Sequence, residues 1–222
     1  MRAQTISVGV ASLLSLSAPM SLAMMGCGGG TPPADDAAVS GDDAGGGGGT
    51  DAGSAPLCAN VPTSGFGASE GRKLENFTLP QCNNEDYTLY GADFCDPSHT
   101  LTVISIAAEW CGPCQAESSM ITEYVSRPYA SRGVRVMQII IQNADYGPPD
   151  LNLCNRWVSR FNLTDNIEMI DPNGMTSGAF PSGSLPSTLI LDETGTIIFR
   201  EDGASDGLVT LRAELDRALA SR

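Results

Sequence analysis

The sequence predicts an α/β domain: a mixed central sheet flanked by helices on both faces, with an added N-terminal β-hairpin. Three observations carry this. Two near-continuous apolar runs of strand length, 101–107 and 134–141, have the composition of buried central strands. An amphipathic stretch follows each run. A late strand–turn–strand unit then precedes a last amphipathic stretch, so strands alternate with helices and finish in a hairpin and a helix.

The chain before this domain has a different character. Residues 1–26 read as a secretory signal: Arg2 supplies the positive end, and residues 6–24 are apolar with small residues throughout. Two processing outcomes are compatible with it. Ser21-Leu22-Ala23 suits an ordinary signal peptidase, whereas Met24-Met25-Gly26-Cys27 resembles a bacterial lipobox with Met24 in place of the usual leucine. Cys27 followed by three glycines and a long spacer favours lipidation of Cys27. Residues 27–63 are dominated by Gly, Ala, Asp, Ser and Pro, with unbroken glycine at 45–49. Such a composition buries too little apolar surface to offset chain entropy and predicts a disordered tether. Residues 64–222 are then one domain.

Within that domain the elements follow in order. Asn76-Phe77-Thr78-Leu79-Pro80 and Tyr87-Thr88-Leu89-Tyr90 alternate in polarity around a polar turn at 83–86, the pattern of a hairpin. After the strand at 101–107, Ala116, Met120, Ile121, Tyr124 and Val125 fall at helical spacing, and Pro128 is expected to end that helix. After the strand at 134–141, a loop with Pro148 and Pro149 leads to a second helix, where Leu153, Trp157 and Phe161 stand four apart with Cys154 beside them. Residues 167–170 form a short strand, and 175–184 a Ser/Gly-rich loop. Pro186 directly precedes a strand at 187–191, and a turn ending at Gly195 leads into its partner. Asp206 caps a final helix with Leu208, Leu211, Leu215 and Leu219 on one face.

Composition excludes some functions. The net charge of −14 repels nucleic acid and anionic headgroups, so no nucleic-acid partner is expected. After residue 26 no stretch approaches the ~20 apolar residues of a membrane helix, which leaves a lipid anchor as the expected membrane attachment. Seven cysteines together with an export signal point to an oxidising compartment.

The chemistry concentrates in Trp110-Cys111-Gly112-Pro113-Cys114. The pair sits where a buried strand meets the first turn of a helix. Unpaired backbone N–H groups and the helix dipole favour a thiolate there. A cysteine so placed can fall from ~8.5 to roughly 3.5–7.5 in pKa. The thiolate is the nucleophile of disulfide exchange, and a second thiol one turn away can resolve the mixed disulfide. Zinc would need two more ligands, but His99 is the single histidine and there is no second Cys-x-x-Cys. His99 reads as a solvated turn residue, and neither metal nor cofactor is expected. Glu117 shares the helix face of Cys114; on spacing alone it also fits an ordinary exposed helix glutamate.

These residues carry a resemblance. A strand into Trp110-Cys111-Gly112-Pro113-Cys114, a helix, and a later Pro186-strand-turn-strand-helix resemble the thioredoxin fold. Phe77-Thr78-Leu79 ahead of the redox strand is similar to the extracytoplasmic branch, the TlpA/ResA-type disulfide reductases. The likeness covers roughly residues 66–222. It implies Cys111 as attacking thiolate, Cys114 as resolving thiol, and Pro186 as a cis-proline facing them. It also implies a substrate groove of Trp110, Pro113, Leu185 and Pro186, and Glu117 as base toward Cys114. Two departures stand out: Ser105 occupies the place of thioredoxin's buried strand aspartate, and Ser119 that of a proline associated with a helix kink. The Pro-x-x-x-Thr-x-x-Cys pattern of peroxiredoxins is absent.

The function expected is reduction of disulfides in extracytoplasmic proteins, fed by an upstream thiol donor, by a monomer in the bacterial cell envelope. Two rivals are a tethered binding module with a static disulfide and a redoxin-type thiol peroxidase. Cys58, Cys82, Cys95 and Cys154 allow three pairings. Cys82–Cys95, around one hairpin arm, with Cys58–Cys154 is the first expectation; free buried thiols are the alternative.

Overall fold

The computed structural model describes residues 61–222 apart from Asp93. The signal at 1–26, Cys27, Cys58 and the tether as far as residue 60 lie outside the described residues.

The elements are β1 (Thr78–Pro80), β2 (Asp86–Thr88), β3 (Leu101–Ala108), α1 (Gly112–Ile121), α2 (Arg127–Ala130), β4 (Val134–Gln142), α3 (Leu151–Phe161), β5 (Ile167–Ile170), β6 (Ser187–Asp192), β7 (Ile197–Asp202) and α4 (Val209–Ala220). β1 and β2 pair as the expected antiparallel hairpin. The main sheet runs β5-β4-β3-β6-β7, with β3, β4 and β5 parallel and β6 and β7 antiparallel to their neighbours. β3, central in the sheet, is buried along its whole length. That explains its continuous apolar composition, since both faces are covered.

Alternate residues divide the core in two. Val103 and Ala107 of β3, Val136 and Ile140 of β4 and Ile170 of β5 pack with Ile121, Trp157, Leu211 and Leu215 of the helices. Ile104 and Ile106, Met137 and Ile139, and Met169 pack with Leu74, Phe77, Leu79 and Tyr90 of the hairpin region. Both sheet faces are therefore covered, with α1, α3 and α4 on one and the hairpin side on the other. Gly195, in the β6–β7 turn, has a positive φ, and a Cβ there would overlap the ring of Tyr90. Tyr90 fixes the fit by donating its hydroxyl to the Leu74 carbonyl at 2.6 Å.

Three local expectations are corrected. The first helix does not end at Pro128. Residues Thr122–Ser126 form a π turn, and α2 continues from Arg127 with Pro128 in its first turn. The wider turn resets the bonding frame, so proline stands where its missing N–H is not needed. His99 is buried rather than solvated, with its ring nitrogens 3.0 Å from the Phe94 carbonyl and 2.8 Å from the Thr102 hydroxyl. The disulfide pairing also differs. Cys82 is bonded to Cys154, so neither Cys82–Cys95 nor Cys58–Cys154 forms. The turn of the hairpin runs beside β5, with Gln81 bridged to Met169, and this carries Cys82 past the sheet edge to α3. Cys95 is also disulfide-bonded.

Candidate active site

β3 and β6 build the site by running antiparallel. Ile106 lies opposite Ser187, so the end of β3 and the start of β6 meet at one edge of the domain. β3 continues there into Cys111, and β6 begins just after Pro186. The Leu185–Pro186 bond is cis, as the resemblance implied.

Cys111 and Cys114 form a disulfide at the start of α1. Cys111 is the N-cap residue with an extended backbone, and Pro113 occupies the first turn. The Cys114 N–H points at the Cys111 sulfur, 3.2 Å away. A helix N-terminus thus directs one of its free donors at this sulfur, an arrangement that would stabilise negative charge on it. Cys114 is fully enclosed and Cys111 nearly so.

A cleft of about 540 Å³ opens beside the pair, lined by Trp110, Ile141, Tyr146, Phe180 and Leu185 among others. The Trp110 indole donates to the Gln142 side-chain oxygen at 3.0 Å and packs against Tyr146, ring centres 5.1 Å apart. Both rings remain exposed, at 40% and 67%. Trp110 and Leu185 therefore line the same cleft, whereas Pro113, exposed at the helix start, and the buried Pro186 do not line it.

Glu117 is buried, at 4% exposure. Its Oε1 accepts the Ser205 backbone N–H at 3.2 Å. Burial pushes its carboxyl above the ordinary value, and the Ser205 hydrogen bond offsets only part of that. Glu201 on β7 is pushed the same way, by its own burial first and by the charge of Glu117 second. Glu117 is thus a buried carboxyl one turn from Cys114, hydrogen-bonded to the loop before α4 and electrostatically coupled to Glu201 on β7.

Sequence reasoning missed a row of polar residues beneath α1. Glu168, Gln138, Ser105, Thr188 and Glu201 are successive register partners across all five strands. They occupy the face that α1 and α3 cover. Gln138 Oε1 accepts both the Ser118 hydroxyl of α1 at 3.0 Å and the Trp157 indole N–H of α3 at 2.7 Å. The Ser105 hydroxyl, Gln138 Nε2 and both Glu168 carboxylate oxygens are buried without a protein partner of good geometry. Such groups ordinarily find a partner or ordered water. The available signal was polar residues interrupting the apolar runs, such as Gln138 in one and Glu168 in another; only the register shows that they align.

Among the described residues no cluster of three or more His, Cys, Asp or Glu side chains could hold a metal, and no helix is long and apolar enough to cross a membrane. The arrangement sets a Cys-x-x-Cys disulfide at a helix N-terminus, next to the cleft residue Trp110, with a buried carboxyl one turn along α1.

Comparison with known proteins agrees with this chemistry. The Redoxin family pattern matches residues 69–219. The thiol-disulfide oxidoreductase ResA of Geobacillus thermodenitrificans is 25% identical over 141 residues, covering 64% of this chain and 74% of that protein. ResA of Geobacillus kaustophilus is 30% identical over 88 residues, covering 40% of this chain and 46% of that protein. Solved structures with the same fold include a thiol-disulfide oxidoreductase from Bacteroides fragilis, with TM-score 0.51, 20% identity, and coverage of 65% of this chain and 99% of that chain. A hypothetical protein from Sinorhizobium meliloti gives TM-score 0.58 at 18% identity, covering 69% of this chain and 86% of that chain. With two thirds of its length matched, the chain belongs to the Redoxin family and is a thiol–disulfide oxidoreductase of thioredoxin-like fold, similar to ResA.

Proposed function

We propose that Cys111 and Cys114 are the working dithiol and that they reduce disulfides of extracytoplasmic proteins. The Cys111 thiolate attacks one sulfur of the substrate disulfide and displaces the other as a thiolate. Cys114 then gives its proton to Glu117 and attacks Cys111, releasing the second substrate thiolate. The product is the Cys111–Cys114 disulfide, which an upstream thiol donor returns to the dithiol. The observation that carries this reading is the Cys114 N–H directed at the Cys111 sulfur from the start of α1. The cleft between Trp110 and Leu185 supports an extended polypeptide as substrate.

Residues 1–26 act as an export signal, Cys27 carries lipid, residues 27–63 tether, and residues 64–222 work as a monomer at the envelope. This part rests on the sequence.

The test is reduction of a model protein disulfide by the pre-reduced chain. Cys111→Ser is expected to lower the rate steeply, since it removes the attacking thiolate at the head of α1. Equal rates would sink the reading. Cys114→Ala should accumulate a mixed disulfide on Cys111 and so capture the native partner.

A further inference from the structure

The second disulfide has surroundings that a merely structural cross-link does not require. The bridge between Gln81 and Met169 is antiparallel, and the Cys82 N–H donates to the Glu168 carbonyl at 3.1 Å. Cys82, a turn residue just past that bridge, therefore abuts the backbone of Glu168. Both face one side of the sheet: Glu168 is in register with Gln138, which holds Trp157 of α3, and Cys82 is bonded to Cys154 of α3. That side is the helix face, where Cys82 packs against the core containing Cys154 and Trp157. Glu168 is 5% exposed, and neither carboxylate oxygen meets a hydrogen-bond partner of good geometry.

The two cysteines differ in exposure. Cys154 is fully enclosed, whereas Cys82 is partly exposed at the end of the hairpin. A nucleophile from solvent can reach only Cys82, so Cys154 must be the leaving group. A bare thiolate at Cys154 would be desolvated and unfavourable. Its proton has to come from inside the fold, and Glu168 is the buried acid whose backbone Cys82 touches.

We propose that Cys82–Cys154 is a second exchangeable disulfide, opened at Cys82 by a small thiol, with Glu168 as the proton donor to departing Cys154. The small thiolate forms a bond to the Cys82 sulfur, the Cys82–Cys154 bond breaks, and Cys154 leaves as a thiol with the Glu168 proton. A second small thiolate attacks the mixed disulfide, releasing the oxidised small disulfide and Cys82 thiolate, which takes a proton from water. Two thiols are oxidised and one protein disulfide is reduced. Glu168 regains its proton from solvent.

The state of Glu168 suits the role. Burial pushes its carboxyl up to about 8, and the Asn166 amide gives only partial relief. The groups around it are uncharged: Gln138 on β4, Asn166 before β5, and the cystine itself. Among the described residues no charged side chain shifts it. It is therefore protonated through neutral pH and ready to donate.

The test uses the full chain with Cys111→Ser and Cys114→Ser, which silences the first pair and leaves serine, a good N-cap, at the start of α1. Reduced glutathione is added across pH 6–10, reactions are quenched by alkylation, and the Cys82 and Cys154 peptides are weighed while circular dichroism follows the fold. The expected result is glutathione on Cys82, a free thiol on Cys154 and a retained fold. The rate per glutathione thiolate should hold below about pH 8 and fall roughly tenfold above it. Glu168→Gln should be about tenfold slower below pH 8 and show no such fall, and Glu168→Asp should restore it. A cystine that stays closed while the chain is folded overturns the proposal, as does a Glu168→Gln profile identical to its parent. Because the first pair is absent, neither outcome bears on turnover at Cys111.

Discussion

Cys111–Cys114 and Cys82–Cys154 invite comparison, because each cystine has a buried carboxyl close by in the fold. The first spans a sequence separation of 3 and the second a separation of 72. Glu117 has a backbone donor from Ser205, whereas Glu168 has no donor of good geometry. The local pair can open and close with little consequence for chain entropy, so its redox state can cycle on a rigid scaffold. The distant pair holds the hairpin to α3, so its redox state is coupled to stability. A carboxyl with a donor can ionise inside the fold; one without a donor resists ionisation until the medium forces it.

The largest difference should appear in stability when each cystine is removed. For a separation of 72, the chain-entropy relation gives about 4 kcal/mol for losing Cys82–Cys154 as the double alanine variant. The same treatment of Cys111 and Cys114 should change stability far less. Urea unfolding of both variants, monitored by fluorescence, measures this, and equal losses would erase the contrast.

The carboxyls should separate next. Glu168 binds its proton more tightly folded than unfolded, so the folded state loses stability as pH rises from near 4.5 to about 8. Glu168→Gln removes that liability. It should leave stability little changed at pH 4 and raise it by a few kcal/mol at pH 8, since each tenfold difference in proton affinity is worth ~1.4 kcal/mol. Denaturant midpoints at the two pH values decide it. Glu117 is displaced in the same direction, so its contribution has the same sign, moderated by Ser205.

The smallest expected effect concerns rate. Glu117→Gln should slow release of the mixed disulfide from Cys111 by about tenfold near neutral pH, with little change in its formation, if the carboxyl takes the Cys114 proton as proposed. Stopped-flow measurement of the two phases tests this. An equal effect on both would reassign Glu117 to structural support.

Much of the site was legible in the chain. Cys111 and Cys114 are separated by one helical turn, so the N-cap geometry follows from local chemistry. Pro186 before an apolar run is likewise a local signal. Glu117 was legible by spacing, but its burial was not, since spacing shows which face a residue occupies and not what covers it. The polar row from Glu168 to Glu201 was invisible because each member lies on a different strand.

The sequence by itself determined the strand and helix order, the redox pair at the head of α1 and the apolar β3 beneath it. These depend on periodicity and on neighbours within a turn. Tertiary structure alone decided that Cys82 pairs with Cys154, that α1 passes Pro128 through a π turn, and that Glu168 stands beside the second cystine. Each depends on sheet register and on the path of the hairpin past β5, which bring together residues that local propensity treats as unrelated.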